Sequence, residues 1–350
     1  MSVAIITGAG GLVGSASIAY FSEFFDLVVG VDNGMRSYFF GDNASTEKVM
    51  ITHSERISNS VWYDTDIRDQ NNLENIFKKY NTDIQLIVHC AAQPSHDWAA
   101  KEPNTDFTIN ANGTLNLLEC MRSICPEAVF IHCSTNKVYG DTPNMLPLIE
   151  LETRLEIDKG HRFYENGISE KMSIDNSLHS IFGVSKLSAD LIAQEYGKYF
   201  GLKTGIFRGG CLTGSNHQGA KLHGFLNYLF RCAILGEEYT VIGYQGKQVR
   251  DNIHAEDLVR MFHEFFKKPC YGEVFNVGGS RHSNCSVIEA ISLAEEFTGK
   301  KMSVSYLNEN RVGDHKWYIS DISKFQSFYP DWKFSYSLSD ICEEIFTTLK

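Results

Sequence analysis

The chain has 350 residues, 43% hydrophobic and 21% charged, enough apolar material for a sizeable core and long for one simple domain. Its net charge of −11 argues against a general nucleic-acid or anionic-membrane binder, because both need a basic surface. Nine scattered cysteines with no C-x-x-C pair read as thiols of a reducing, cytoplasmic compartment rather than a disulfide framework or metal site.

A strand-like run, Val3-Ala4-Ile5-Ile6-Thr7, starts so early that no signal peptide is expected before it. No apolar run approaches the length of a membrane span. The first run leads into Gly8-Ala9-Gly10-Gly11-Leu12-Val13-Gly14, a helix-compatible stretch Ser15 to Phe25, and a second apolar run, Leu27 to Val31, ending at Asp32. Glycines between a strand and a helix let backbone N–H groups approach a pyrophosphate, with the helix dipole favouring its charge. An acid about twenty residues on accepts from two ribose hydroxyls and repels a 2′-phosphate, so the unit is expected to hold NAD rather than NADP.

Strand and helix patterns then alternate. Val61 to Tyr63 is a strand, Asn71 to Tyr80 a polar helix, Ile84 to His89 a strand, and Phe107 to Ser123 a helix. Ala128 to Cys133, a helix from Phe182 to Phe200, and Lys203 to Arg208 continue the series. The expected fold is α/β: a Rossmann-type, doubly wound parallel sheet whose ligands lie beyond the carboxyl ends of the strands. Beyond Gly210 the pattern loosens into a loop at 214–219, a helix from Leu222 to Leu235, and strands at Tyr239 to Ile242 and Glu273 to Val277. The expected division is an NAD-binding domain over 1–210, a smaller C-terminal substrate lobe over 211–350, and a return of about 245–280 to the first sheet. The charged stretch Pro143 to Ser177 reads either as a flap over the substrate or as a solvated insertion.

Three further segments carry chemistry. They are Cys133-Ser134-Thr135-Asn136-Lys137-Val138-Tyr139-Gly140-Asp141 after a strand, His179-Ser180-Ile181-Phe182-Gly183-Val184-Ser185-Lys186 at a helix start, and Gly246-Lys247-Gln248-Val249-Arg250-Asp251-Asn252-Ile253-His254. With the glycine loop, they make the chain resemble the extended short-chain dehydrogenase/reductases over nearly its whole length, and within them the CDP-tyvelose (CDP-paratose) 2-epimerases. The resemblance implies a bound NAD that takes a hydride from a sugar carbinol and returns it to the opposite face of the ketone. A nucleoside-diphosphate sugar is then the substrate. A homodimer is expected from pairing of the helices at about 107–123 and 182–200, whose apolar residues lie on more than one face.

By the same resemblance, cofactor contact falls on Gly8, Gly11, Leu12, Val13, Gly14, Asp32, Asn33, Asp66, Ile67, Cys90, Ala91, Ala92 and Lys186. Asp66 also reads as a helix N-cap, since Asp before a helix is common. Substrate contact falls on Gln93 and Asn136, and on Arg250 and Arg311, whose planar cations suit a diphosphate. Asn110 matches an asparagine that braces the sheet. Thr135 is the catalytic hydroxyl, and Lys186 completes a Tyr-x-x-x-Lys pair whose tyrosine position is Phe182. His179 reads as a polar residue at the helix start. Phenylalanine cannot exchange a proton, and the expected loss is on the order of 10²–10⁴ in rate. Three explanations stay open: a substitution made to trap substrate; proton transfer through Thr135, Lys186 or an ordered water; or binding without redox turnover. Relatives that keep an asparagine near Cys211 hold the sugar with it, so hexose identity is open here. Dehydratases of the resemblance carry an Asp-Glu pair after the catalytic hydroxyl; Asn136-Lys137 occupies that place, which weighs against a dehydratase. The resemblance makes an epimerase acting at C2 of a CDP-hexose the leading expectation, with a 4-epimerase, which shares most of the motifs, as the alternative.

Overall fold

The computed structural model describes residues 1–214, 224–309 and 313–350. The chain divides into two compact units, one of Met1–Val138, Ile181–Arg208 and Leu258–Phe275, the other of Tyr139–Ser180, Gly209–Asp257 and Asn276–Lys350. Arg311 and the loop at 215–219 lie outside the described residues.

The first unit is built on a seven-stranded sheet. Its strands are β1 (Val3–Thr7), β2 (Leu27–Asp32), β3 (Ser60–Asp64), β4 (Ile84–His89), β5 (Val129–Thr135), β6 (Lys203–Gly209) and β7 (Glu273–Val277), in spatial order β7-β6-β5-β4-β1-β2-β3. β1 runs parallel to β2 and β4, β2 to β3, and β4 to β5. Its helices include α1 (Leu12–Phe21), α2 (Gln70–Tyr80), α3 (His96–Lys101), α4 (Gly113–Ile124) and α5 (Ser180–Lys198). Because every residue of β1 is buried, that strand reads as a continuous apolar run rather than an alternating one. Leu73, Ile76, Phe77 and Tyr80 of α2 and Leu117, Leu118 and Met121 of α4 recur at helical spacing and close one core with Val3, Ile5, Val29, Ile87 and Phe130. Each fully buried side chain of this size contributes about 1.5–3 kcal/mol.

Register decides what reaches the site. Thr7 pairs with Val31 and His89, and His89 with His132, so Gly8, Asp32, Cys90 and Cys133 stand together at the carboxyl edge. The strand order reverses between β1 and β4, where sheets of this kind open a crevice for ligands.

The second unit centres on a strand over Val249–His254, flanked in parallel by Cys211–Thr213 and Trp317–Tyr318 and antiparallel by Asn284–Ser286. Helices Phe225–Leu235, Val287–Thr298 and Leu338–Leu349 enclose its core around Leu229, Phe230, Ala290, Ile341 and Ile345. The 143–177 stretch is knit into this unit, and it is no solvated insertion. A hairpin pairs Leu148–Glu150 with Leu155–Ile157, while Ile157, Phe163 and Ile168 are buried. Arg154 is bonded to Glu289 at 2.5 Å, and Arg281 to Glu156 at 2.9 Å.

Candidate active site

The glycine loop is tight enough to exclude side chains. Gly8 has φ +65°, and a Cβ there would lie 2.6 Å from the Ala91 nitrogen. A Cβ on Gly14 would lie 2.0 Å from the Gly8 carbonyl oxygen. Gly11 is the N-cap of α1 and has no side chain to cap it, so the first N–H groups of this ten-residue helix remain available to an anion. Leu12 and Val13 open the helix, Val13 being buried.

The Asp32 carboxylate accepts from the Gly10 and Gly34 N–H groups, each at 2.9 Å. These bonds fix it at the loop with acceptor capacity left for a ribose. Asn33 donates to Asp66 at 3.1 Å. Burial raises the Asp66 carboxyl, but its bonds from Arg68 and Asn33 outweigh that and hold it below the usual carboxylate range. Asp66 is not the helix cap. Asp69 caps α2 by accepting from the Asn72 N–H, because it stands immediately before the first helical residue. Ile67 is buried, and a Cβ on Gly113 would strike its side chain at 2.4 Å.

Cys90, just past the end of β4, and Cys133, near the end of β5, have sulfurs 3.3 Å apart as free thiols. Lys186 is buried and donates to the Cys133 carbonyl at 2.8 Å, which ties α5 to the strand bearing Thr135. Burial lowers the Lys186 ammonium below the ordinary lysine range. Thr135 Oγ1 accepts from the Lys137 N–H at 3.3 Å and lies 3.5 Å from the Asn136 amide oxygen. Phe182 is buried, its ring meeting that of His96 edge to face at 4.8 Å between centroids.

Behind these groups lies a network that sequence reasoning touched only at Asn110 and at Gln93, the latter as an expected substrate contact. Asn110 sits in a π turn, Thr108–Asn112, a form of helix that recurs at functional sites. It accepts from the Gln93 N–H and donates to the Gln93 carbonyl, Asp106 and Ser185. The Thr114 hydroxyl donates to the Asn110 carbonyl, so His89 Nε2 carries the proton and His89 Nδ1 accepts from Thr7. Burial lowers His89 to about 3, keeping the ring neutral. Gln93 uses both amide protons internally, on the Ser95 carbonyl and on Asp106. Asp190, fully buried, receives Ser134, Gln194 and a two-pronged contact from Arg208. The signal for Asp190 was available: it lies four residues after Lys186, as an acid on a helical face of buried residues.

In the second unit, Arg250 pairs with Asp314 at 2.5 Å and donates to the Val249 carbonyl. Among the described residues, no cluster of His, Cys, Asp or Glu is arranged to hold a metal ion. Nor is any helix of them long and apolar enough to cross a membrane.

A glycine cradle that any Cβ would fill, an uncapped helix start and a fixed carboxylate acceptor together suit a dinucleotide. The comparisons agree. The NAD dependent epimerase/dehydratase family matches residues 4–278. The chain belongs to this family. It is 31% identical to CDP-paratose 2-epimerase of Salmonella typhi, over 98% of this chain and 97% of that protein. It is 27% identical to dTDP-glucose 4,6-dehydratase of Haemophilus influenzae, over 99% and 91%. Among solved structures it matches UDP-glucuronic acid 4-epimerase of Bacillus cereus in complex with UDP-glucuronic acid and NAD, with TM-score 0.81 and 25% identity, covering 100% of this chain and 99% of that one. The protein is therefore an NAD-dependent enzyme of the sugar-nucleotide epimerase/dehydratase family.

Asp32→Ser is expected to weaken NAD binding about tenfold and to admit NADP, because it removes a carboxylate able to accept from a ribose and to repel a 2′-phosphate. Titration of apo-protein with each dinucleotide checks this; an unchanged preference would count against the role of Asp32.

Proposed function

We propose that the protein is an epimerase that inverts C2 of a CDP-hexose through a transient ketone. The observation that carries this reading is the 31% identity to a CDP-paratose 2-epimerase along nearly the full length of both chains. Asn136-Lys137 after Thr135, where the dehydratases of the resemblance carry an acid pair, supports it over dehydration.

NAD supplies the hydride acceptor and donor when bound. The first turn of α1 holds its pyrophosphate, Asp32 and Lys186 its riboses, and Asp66 and Ile67 its adenine. Asn33, Cys90, Ala91 and Ala92 line the same edge. Thr135 orients the reacting sugar oxygen, and Asn136 bonds the sugar. Arg250, with Arg311, neutralises the diphosphate, which requires Arg250 to exchange Asp314 for phosphate oxygens. Gln93 acts on this site indirectly, through the backbone it holds. We place the enzyme in a reducing cytoplasm, with all nine cysteines as thiols. We assign it a homodimer through α4 and α5, on which Leu115, Ile181, Val184 and Leu191 are each over one-third exposed.

The test is incubation with CDP-paratose in deuterium oxide, followed by proton NMR. The expected product is the C2 epimer with its C2 hydrogen retained, since the hydride never reaches solvent. A 4-epimer or no turnover would overturn the reading, as would a 4-keto-6-deoxy product from a parallel incubation with CDP-glucose, which keeps the 6-hydroxyl that dehydration needs. Phe182 motivates the rival reading, a protein that binds sugar nucleotides without turnover, for which saturable CDP-paratose binding and no product are the signature.

A further inference from the structure

The proposed reaction needs a group that takes the carbinol proton, and residue 182 has none. We propose that His96 is that acid–base residue. The inference rests on the epimerase reading above. His96 is the first residue of α3, and its imidazole lies edge to face against Phe182, with the ring centroids 4.8 Å apart and the planes at 67°. The phenyl ring that stands where the resemblance expects a tyrosine therefore has a titratable ring against it. Imidazole is neutral near pH 7 and accepts a proton there, which an ammonium cannot do and a threonine hydroxyl does poorly. Lys186 is committed as a donor to the Cys133 carbonyl.

The backbone carrying His96 is held from both sides. Gln93 Oε1 accepts from the Ser95 N–H, and Gln93 Nε2 donates to the Ser95 carbonyl and to Asp106. Ser95 Oγ then accepts from the Trp98 N–H as the cap of α3. Asn110 fixes Gln93 at its own N–H and carbonyl. Gln93 is thus a positioning residue for His96, which accounts for a buried glutamine with both amide protons spent on neighbours. A base locked by its supporting shell needs little reorganisation at the moment of transfer.

The step balances. The carbinol O–H proton passes to a ring nitrogen of His96, and the O–H electron pair becomes the second bond of the ketone. The C2–H pair leaves as hydride to bound NAD⁺, reducing it to NADH. On return, hydride adds to the other face of the carbonyl carbon, the carbonyl pair goes back to oxygen, and the imidazolium protonates it. Nothing is consumed.

His96→Ala, Phe182→Tyr and the double variant test this with CDP-paratose as substrate. His96→Ala is expected to lose 10²–10⁴-fold in turnover while keeping its NAD. Added imidazole should restore part of the loss, as should Phe182→Tyr in the same chain. In the NAD-loaded parent, the ring ¹⁵N resonance absent from His96→Ala should shift when CDP-paratose is added. Should His96→Ala fail to fold, His96→Asn carries the same comparison. Turnover within threefold of the parent in a folded His96 variant, or an unmoved resonance, overturns the role of His96 and leaves the epimerase reading standing. An inactive parent overturns both.

Discussion

Replacing Arg208 with leucine is expected to lower stability by about 3–5 kcal/mol, the usual consequence of stranding one partner of a buried ion pair. Asp190 is 0% exposed, and its carboxylate receives Arg208 through Nε at 2.9 Å and Nη2 at 2.8 Å. Leucine fills much of the space but supplies no charge, so Asp190 must protonate or keep its charge with only Ser134 and Gln194 as donors. Both responses are unfavourable in a site this dry. Asp190 also accepts from Ser134 at 2.6 Å and so holds α5 against the residue next to Thr135. Chemical denaturation reads the stability term, and a loss below about 1 kcal/mol would show that the pair contributes little. Arg208→Leu combined with Asp190→Leu should recover part of the loss, since removing both charges leaves neither stranded.

The second large effect is expected at Gly14. An alanine there puts its Cβ 2.0 Å from the Gly8 carbonyl oxygen and 2.8 Å from the Ala9 Cα. Both neighbours are backbone, so the clash cannot be relieved by turning a side chain, and α1 must move away from the loop. Overpacking of this kind costs about 1–3 kcal/mol. The displaced helix start no longer aims its N–H groups where the loop directs a pyrophosphate, and NAD affinity should fall on the order of 10–10²-fold. The NAD content of the purified variant and calorimetric titration measure it. Gly201→Ala, outside the loop, is the control: nothing lies within 4 Å of its Cβ, although its φ of +71° carries some strain. Equal NAD content in Gly14→Ala and the parent would remove the loop from the account of binding.

What could be read in advance follows the range of the interactions. Ile84–His89, Tyr239–Ile242 and Glu273–Val277 are strands at the bounds their apolar runs indicate, because buried parallel strands announce themselves locally. The glycine loop and Asp32 are equally local. The start of α1 is earlier than its pattern suggests, at Leu12 instead of Ser15, because Gly14 already lies in the helix and has no side chain to mark the period, while Gly11 before it is still extended. The π turn at Thr108–Asn112 left no mark, since one widened turn barely disturbs apolar spacing. Asp66 and Asp69 look alike as caps until the first helical residue is known. Contacts that depend on chain reversal, Asp190 with Arg208 and His96 with Phe182, have no local pattern to betray them. The hairpin within 143–177 was hidden by its charges, which read as solvated until Glu289 and Arg281 supplied their counterparts.

The chain passes between its two units at 138/139, 180/181, 208/209, 257/258 and 275/276. No single cut can release either as a continuous polypeptide. A fragment ending near residue 210 would lack β7 and leave β6 as a raw sheet border with unpaired N–H and C=O groups, open to pairing with other chains. During synthesis, the sheet stays incomplete until residues 273–277 have been made, so the dinucleotide domain is finished only after most of its companion has emerged.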